Sequence, residues 1–488
     1  MSGRADIIIR GARVYDGSGA EAEIADVAMA EGRISAVGDL GSSAADREIK
    51  ADGLSLAPGF IDVHTHDDRH LLAHPDMAAK VSQGVTTVVA GNCGISLAPI
   101  SRPGLPPPPF DLLADRPEYC FASLADYFRQ LDETPAATNS VALIGHSVLR
   151  YNAMDDLARP ATDAEVAAMQ GQMAEAMEAG AIGLSTGLFY PPARASTTAE
   201  VAAIAEVLGP GDGIYTTHMR DEADGILDSI EEAAAIGRQA KVQVVISHHK
   251  CVGRRNHGRS VETLALIEKL RGELHVGLDL YPYIAGSTVL LPEMIDRAER
   301  TLVTWSKARP EFAGRDLAEI AQELGLSPQD TASALQPAGA IYFMMDEADV
   351  RRIMAFPGTM IGSDGLPADQ HPHPRLWGTF PRVLGRYARE QGVFGMAEAV
   401  HRMTGLPAAE FGLKERGLIR PGHHADLVLF DAEQVRDRAT FEAPTTPAAG
   451  IECVWVNGQA VWRDGEVTGA RPGRAIRRQE TLRGADRL

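Results

Sequence analysis

The run Gly59-Phe60-Ile61-Asp62-Val63-His64-Thr65-His66 places two histidines two residues apart at the end of a short, largely apolar stretch. Side chains at positions i and i+2 of a β-strand point to the same face. Both imidazoles can therefore reach one metal ion at the end of a strand. A histidine pair on a surface loop would show the same spacing, so the interpretation depends on the rest of the chain.

The middle of the chain alternates strand-like runs with helix-like runs. Eight apolar or β-branched runs are candidate strands, and they end near His64, Ala90, Gly145, Ser185, His218, His248, Tyr281 and Asp364. Eight βα repeats predict an α/β fold, a (β/α)8 TIM-like barrel with its active site at the carboxyl ends of the strands. The seventh and eighth runs are separated by far more residues than a crossover needs. We therefore expect an inserted lid subdomain at 284–343.

Both ends of the chain are rich in β-type residues and tight turns. The pair Asn457-Gly458 lies between two such runs, which is a strong signal for a two-residue hairpin. We predict a small β-sandwich domain built from residues 1–57 and 415–488, with the barrel spanning 58–414.

Helix signals occur at several points between the strands. Thr162–Glu165 and Thr197–Glu200 have the spacing of capping boxes, which open helices. Residues 164–179 carry apolar side chains at helical spacing and are expected to pack in the core. A further helix is predicted from Glu222 to Gln239.

Composition limits the classes of partner and compartment. The 488 residues carry a formal net charge of -19, which argues against nucleic acid because its phosphates would be repelled. The four cysteines are too few and too scattered for a disulfide framework. The N-terminal residues lack an apolar signal core, and no apolar run approaches the roughly 18 residues that span a membrane. We expect a cytoplasmic protein that binds neither nucleic acid nor a membrane, and the net charge does not exclude an anionic small substrate.

Residue types that zinc favours recur at the ends of the predicted strands. They are His64, His66, Cys93, His218, His248 and Asp364. Imidazole, thiolate and carboxylate groups are the usual ligands of zinc in proteins. Any one of these residues alone could be structural, but their recurrence at separate strand ends predicts a metal centre.

A carboxylate beside a zinc-bound water can accept its proton and later deliver it to a leaving nitrogen. We assign this role to Asp364. The competing candidates are Asp62, Asp67 and Asp68, and Asp62 could face the barrel interior because it precedes His64 by two residues.

Seven motifs together point to a known family. They are Pro58-Gly59-Phe60-Ile61-Asp62-Val63-His64-Thr65-His66, Gly91-Asn92-Cys93-Gly94, Thr217-His218-Met219-Arg220, Ser247-His248-His249-Lys250, Gly362-Ser363-Asp364-Gly365, His371-Pro372-His373-Pro374-Arg375 and the late run from Gly417 to Val428. With them the chain resembles the amidohydrolase superfamily over nearly its whole length. Within it, the chain resembles the D-aminoacylases, or N-acyl-D-amino-acid deacylases.

The resemblance implies which residues hold metal. Many superfamily members bridge two metals with a carboxylated lysine on strand four, but residues 181–186 contain no lysine. The D-aminoacylase group uses a cysteine from strand two instead, and Cys93 stands at that position. The tightly bound zinc is then held by Cys93, His218 and His248. A second, weaker position is lined by His64, His66 and Asp364.

The resemblance also implies the reaction, which is hydrolysis of an N-acyl-D-amino acid to a carboxylate and a free D-amino acid. The family's positions for binding the substrate carboxylate fall on Lys250, Tyr281, Ser287 and Arg375. A planar arginine fork suits a carboxylate, and a lysine adds a second point charge. The side chain of the amino acid, the acyl group and the number of subunits are left open.

Three alternatives remain at this stage. The first is another amidohydrolase, such as a cyclic amidase or a dipeptidase, against which Cys93 and the missing lysine weigh. The second is a non-catalytic scaffold with the same fold, although such a protein would be expected to lose metal ligands. The third is a nucleobase deaminase, whose substrate has no carboxylate for Lys250 and Arg375 to bind.

Overall fold

The computed structural model describes residues 4–113, 116–209 and 213–481. Its strands form three sheets within these ranges. The strands, in chain order, are β1 (Ala5–Val14), β2 (Glu23–Ala30), β3 (Arg33–Gly38), β4 (Ala45–Lys50), β5 (Ser55–Pro58), β6 (Phe60–Asp62), β7 (Val85–Ala90), β8 (Asn139–Gly145), β9 (Gly183–Gly187), β10 (Ile214–His218), β11 (Gln243–Ile246), β12 (Val276–Leu280), β13 (Ala285–Val289), β14 (Arg300–Ser306), β15 (Ala338–Phe343), β16 (Thr359–Ile361), β17 (Leu427–Phe430), β18 (Ile451–Val456), β19 (Gln459–Arg463) and β20 (Glu466–Val467).

The α-helices lie mainly between the strands of the central sheet. In chain order they are α1 (His70–Ala73), α2 (Ala78–Val81), α3 (Leu124–Glu133), α4 (His146–Ala153), α5 (Asp163–Ala179), α6 (Pro191–Arg194), α7 (Thr198–Ala205), α8 (Ile226–Ala240), α9 (Ser260–Arg271), α10 (Leu317–Leu324), α11 (Pro328–Ala334), α12 (Glu347–Ala355), α13 (Arg375–Arg382), α14 (Met396–Met403) and α15 (Gly405–Glu410). Within the described ranges, no helix combines the length and apolar character needed to cross a lipid bilayer.

The central sheet is a closed barrel of eight parallel strands. Its neighbour order is β16-β12-β11-β10-β9-β8-β7-β6. The two ends of this order meet where Thr65 and Gly365 form a parallel bridge. There the Asp364 N–H donates to the His64 carbonyl oxygen over 2.8 Å. The predicted α/β barrel is therefore confirmed, and the first and last strands bring His64 and Asp364 side by side.

The second sheet joins the two ends of the chain. Its order is β20-β19-β18-β17-β5-β1-β2-β3, and β4 also pairs with β1 so that the sheet branches there. Antiparallel pairing of β5 with β17 connects the N-terminal and C-terminal strands. Asn457 and Gly458, with φ of 47° and 80°, form the predicted tight turn between β18 and β19. The predicted domain boundaries at 1–57, 58–414 and 415–488 remain a prediction.

The third sheet lies between β12 and β16 in the chain, in the predicted lid. It has the order β13-β15-β14, and α10 and α11 lie between β14 and β15. Apolar residues of this inserted segment, among them Leu290 and Val303, share one buried cluster with Tyr281 and Val252, which follow barrel strands. The inserted segment thus packs over the carboxyl ends of the barrel strands.

The predicted helix from Glu222 to Gln239 begins four residues late, since α8 starts at Ile226. The Asp221 carboxylate accepts hydrogen bonds from the N–H groups of Ala223 and Gly225 at 2.7 and 3.0 Å. An aspartate that bonds its own backbone in this way favours a turn over a helix. Glu222 therefore lies in a turn that faces the barrel mouth and not on a helix.

The two predicted capping boxes differ. Thr162 and Glu165 form a complete box at the start of α5. At α7, Thr197 accepts from the Glu200 N–H as predicted, but the Glu200 carboxylate bonds Arg150 and lies 3.2 Å from Nε2 of His146. The buried arginine is a stronger partner for that carboxylate than a backbone N–H.

Candidate metal centre

Six predicted ligands come together at the carboxyl ends of five barrel strands. They are His64 and His66 after β6, Cys93 after β7, His218 at the end of β10, His248 after β11 and Asp364 after β16. Cys93, His248 and Asp364 have left-handed backbones, with φ of 53°, 37° and 50°. L-residues avoid this region because Cβ crowds the backbone. The packed barrel therefore imposes these conformations, and they aim the three side chains inward.

Cys93, His218 and His248 form the first group of possible ligands. Their ligand atoms all lie within 4.8 Å of one another, and all three residues are buried. Cys93 Sγ lies 3.4 Å from His248 Nε2. One thiolate and two imidazoles are a donor set that zinc accepts, so the residues present fit this metal.

His64, His66 and Asp364 form a second group together with Cys93. His66 Nε2 lies 3.1 Å from Asp364 Oδ1, and His64 Nε2 lies 3.2 Å from Cys93 Sγ. Asp279 Oδ1 lies 3.5 Å from the other ring nitrogen of His64. The two groups share Cys93, so the two sets of possible ligands lie side by side.

The charges of the site favour the ionised forms of Cys93 and Asp364. Burial alone would raise the pKa of the Cys93 thiol, but His64 and His248 outweigh burial and hold that pKa well below its usual range. Burial would likewise raise the pKa of Asp364, but Arg375 and His64 outweigh it and the pKa falls well below the ordinary value. Both groups are therefore anions, which is the state that binds a metal or accepts a proton.

The cavity above these ligands contains all four predicted carboxylate-binding residues. Lys250, Tyr281, Ser287 and Arg375 line it together with His66, His218, His248 and Asp364. Arg375 is fully buried; its Nη2 donates to the Ser287 carbonyl oxygen over 3.0 Å. The Tyr281 hydroxyl is buried and has no hydrogen-bond partner among the described residues. An unpaired buried donor at this place is available to a ligand.

The remaining wall of the cavity is mostly apolar. Phe189, Val252, Met294 and Met344 contribute to it. Arg297, the last residue of the 3-10 helix Pro292–Arg297, also lines the cavity, and its side chain is exposed. The cavity therefore combines an apolar wall with one exposed guanidinium at its rim.

The competing aspartates point away from the cavity. Lys80 is fully buried, and its Nζ lies 2.8 Å from Asp62, 3.2 Å from Asp67 and 2.9 Å from the Ser363 hydroxyl. Asp62 also accepts from the Ser363 N–H over 2.8 Å. This buried network joins the segment after β6 to the segment that carries Asp364.

Asp68 and His249 are also turned away. Asp68 accepts from the Gly91 N–H over 3.2 Å, and His249 Nε2 lies 2.8 Å from the Thr263 hydroxyl on α9.

Sequence reasoning did not single out Lys80 or Glu222. Glu222 lines the cavity and lies 2.7 Å from Lys250 Nζ. Its position four residues after His218 is the available signal, but the helix predicted to start at Glu222 hides it.

A family model described as the amidohydrolase family matches residues 47–462. The chain belongs to the amidohydrolase family. This confirms the resemblance inferred from the motifs, and the fold and the arrangement of strand-end residues agree with it.

Within the amidohydrolase family the chain has relatives that match it almost end to end. It is 54% identical to a D-aminoacylase of Alcaligenes xylosoxydans xylosoxydans, over 97% of this chain and 98% of that protein. It is also 54% identical to an N-acyl-D-aspartate deacylase of the same organism, over 97% of this chain and 95% of that protein. These two relatives support the predicted D-aminoacylase branch.

The solved structure of a further relative also matches this chain almost end to end. The crystal structure of an N-acyl-D-glutamate deacylase from Bordetella Bronchiseptica superposes with a TM-score of 0.95 at 46% identity, covering 97% of this chain and 100% of that chain. That relative is complexed with zinc and with a phosphonate inhibitor that mimics the tetrahedral intermediate of its reaction.

Proposed function

We propose that this protein is a zinc-dependent N-acyl-D-amino-acid deacylase. The observation that carries the proposal is the position of the cavity. Members of both groups of possible metal ligands line it, namely His66, His218, His248 and Asp364, and its wall also holds Lys250 and Arg375. A linear amide with a free carboxylate matches this combination of metal, base and cations.

The tightly bound zinc would be held by Cys93, His218 and His248. His64, His66 and Asp364 would line a second, weaker position that shares Cys93. A zinc ion with an open position lowers the pKa of bound water to about 7 and polarises a carbonyl oxygen. The zinc in the glutamate deacylase relative supports the choice of metal.

Asp364 would move the proton in this reaction. Its low pKa keeps it ionised, so it accepts a proton from the attacking water. The water oxygen would add to the acyl carbonyl carbon, and the carbon–nitrogen bond would break as the same carboxyl gives the proton to the amine nitrogen. The products are a carboxylate from the acyl group and a free D-amino acid.

The substrate carboxylate would bind between Lys250 and Arg375, with the hydroxyls of Tyr281 and Ser287 completing its hydrogen bonds. The guanidinium of Arg375 lies over the Tyr281 ring at 4.5 Å and Lys250 Nζ lies 5.8 Å from the same ring. Both cations thus lie next to the Tyr281 ring. The D configuration rests on the activities of the relatives.

Arg297 indicates which amino-acid side chains the cavity accepts. Its exposed guanidinium at the cavity rim favours a side chain that ends in a carboxylate, and two of the relatives act on N-acyl derivatives of acidic D-amino acids. The apolar wall favours aliphatic methylene groups closer to the metal. We therefore expect N-acyl-D-glutamate and N-acyl-D-aspartate to be hydrolysed alongside apolar substrates.

We also propose a reducing, cytoplasmic setting and a small-molecule substrate. Cys93, Cys120, Cys251 and Cys453 are all free in the structure. A thiolate ligand such as Cys93 needs to stay reduced to bind metal.

The test is metal removal and reloading. The purified protein is stripped with a chelator and assayed for release of free amino acid from N-acetyl-D-amino acids, before and after zinc is added back. We expect no release from the stripped protein and restored release after zinc. A zinc-loaded protein that hydrolyses none of these substrates would contradict the proposal and favour a non-catalytic scaffold or a different amidohydrolase.

A further inference from the structure

Glu222 is a buried carboxylate beside the metal centre that the reaction described above does not use. It lies in the turn between β10 and α8, four residues after His218, and it lines the cavity at only 8% exposure. Its own carbonyl oxygen accepts from the Val252 N–H over 2.8 Å, which fixes the backbone of the turn. A buried carboxylate is costly unless it is paired, so its contacts explain why it is there.

The side chain of Glu222 touches three residues of the site. Oε1 lies 2.7 Å from Lys250 Nζ and 3.1 Å from His248 Nδ1. Oε2 lies 3.7 Å from His218 Nε2. One carboxylate therefore contacts two candidate zinc ligands and one candidate substrate-binding cation.

Metal binding by His248 would fix where the proton of its ring lies, and this decides which of these contacts matters for a metal. If His248 binds metal through Nε2, which faces Cys93, its proton has to lie on Nδ1. Two groups lie within hydrogen-bond distance of Nδ1, namely Lys250 Nζ at 2.7 Å and Glu222 Oε1. An ammonium group has only donors, whereas a carboxylate has only acceptors. Glu222 is therefore the group of this pair that can accept the Nδ1 proton.

We propose that Glu222 is a positioning residue with two tasks. It accepts the Nδ1 proton of His248 and so keeps Nε2 of that ring free for zinc. It also holds Lys250 against the cavity wall, since Lys250 Nζ donates to Glu222 and to the His248 carbonyl oxygen at 2.9 Å. The first task rests on the metal centre alone, and the second rests on the proposed function.

The first task is tested by zinc affinity, measured by competition with a chromophoric chelator and without substrate. Removing a group that orients a metal-binding histidine typically lowers metal affinity by about 10- to 100-fold. We expect a loss of this size for Glu222→Ala. Glu222→Gln keeps an oxygen that can accept the Nδ1 proton, so we expect its affinity to lie between those of Glu222→Ala and the unchanged protein.

Glu232 provides the matched control. It lies on α8 in the same stretch of chain, and its carboxylate pairs with Arg220 at 2.8 Å, away from the cavity. Glu232→Ala should leave zinc affinity unchanged, and circular dichroism would show that all variants are folded. If Glu222→Ala fails to fold, the zinc affinities of Glu222→Gln and Glu232→Gln are compared instead.

Two results would overturn the inference. One is zinc affinity in folded Glu222→Ala, or in Glu222→Gln if the alanine variant does not fold, equal to that of the unchanged protein. The other is an equal loss of affinity in the corresponding Glu232 variant, which would mean that the effect is general. The outcome is separate from the proposed function, because zinc affinity is measured without turnover. A protein that binds zinc tightly but hydrolyses no N-acyl-D-amino acid would contradict the proposed function only.

Discussion

Nη1 of Arg375 lies 2.9 Å from Oδ2 of Asp364, and both side chains are buried at the cavity. The guanidinium expected to bind the substrate carboxylate is thus already paired with the expected proton acceptor. This contact keeps the Asp364 carboxylate ionised and limits its rotation. Substrate binding and proton transfer therefore depend on the same arginine.

Replacing Arg375 should change both the rate and its pH dependence. Arg375→Gln removes the main cation that lowers the pKa of Asp364, so that pKa rises. We expect kcat/KM to fall by about 100-fold or more, and the acid limb of its pH profile to move to higher pH. Arg382→Gln is the control, because Arg382 is on the same helix but pairs with Asp437 at 2.7 Å. An acid limb unchanged by Arg375→Gln would contradict the assignment of Asp364.

Cys93 belongs to both groups of possible ligands, whereas His66 belongs to one. Cys93→Ala should therefore abolish stoichiometric zinc, because it removes the only thiolate of the site. His66→Ala should keep one zinc per chain in metal analysis by mass spectrometry. Retention of zinc in Cys93→Ala together with its loss in His66→Ala would mean that the position lined by His66 binds zinc more tightly than the other position.

Lys80 should contribute strongly to stability. Lys80→Met leaves Asp62 and Asp67 buried without their cation, and breaking a buried pair in this way costs about 3–5 kcal/mol. We expect the free energy of unfolding, measured with urea, to fall by that amount. The exposed Lys269 gives the control, since Lys269→Met should change stability by less than about 0.5 kcal/mol. An equally small effect of Lys80→Met would show that the buried network does not contribute to the free energy of unfolding.

Asp369 should make stability depend on pH. Burial raises its pKa to about 7, whereas an unfolded aspartate titrates near pH 3.9. The folded state therefore binds more protons than the unfolded state between these values, and stability falls as pH rises from about 4 to 7. Asp369→Asn removes this dependence. The melting temperature of the variant minus that of the unchanged protein should therefore increase from about pH 4 to 7 and stay constant above pH 7. A difference that stays constant with pH would contradict the raised pKa.

The sequence predicted the barrel and its six candidate ligands because strand ends combine two independent signals, β-branched runs and metal-binding residue types. It did not predict Glu222 or Lys80, for physical reasons that differ. The helix-favouring run after Glu222 hides the turn that Asp221 stabilises through its backbone hydrogen bonds. Lys80 was not recognised because a lysine is normally solvated, and only the fold brings Asp62 and Ser363 to it.

The most direct test is the value of kcat/KM for matched N-acetyl-D- and N-acetyl-L-amino acids on the zinc-loaded protein. The panel should include glutamate, aspartate, leucine and methionine, with Asp364→Asn as the control for background hydrolysis. We expect the D-enantiomers to be hydrolysed with clear preference, and the Asp364→Asn protein to bind zinc but lose nearly all turnover. Equal or better hydrolysis of the L-enantiomers would contradict the proposed function.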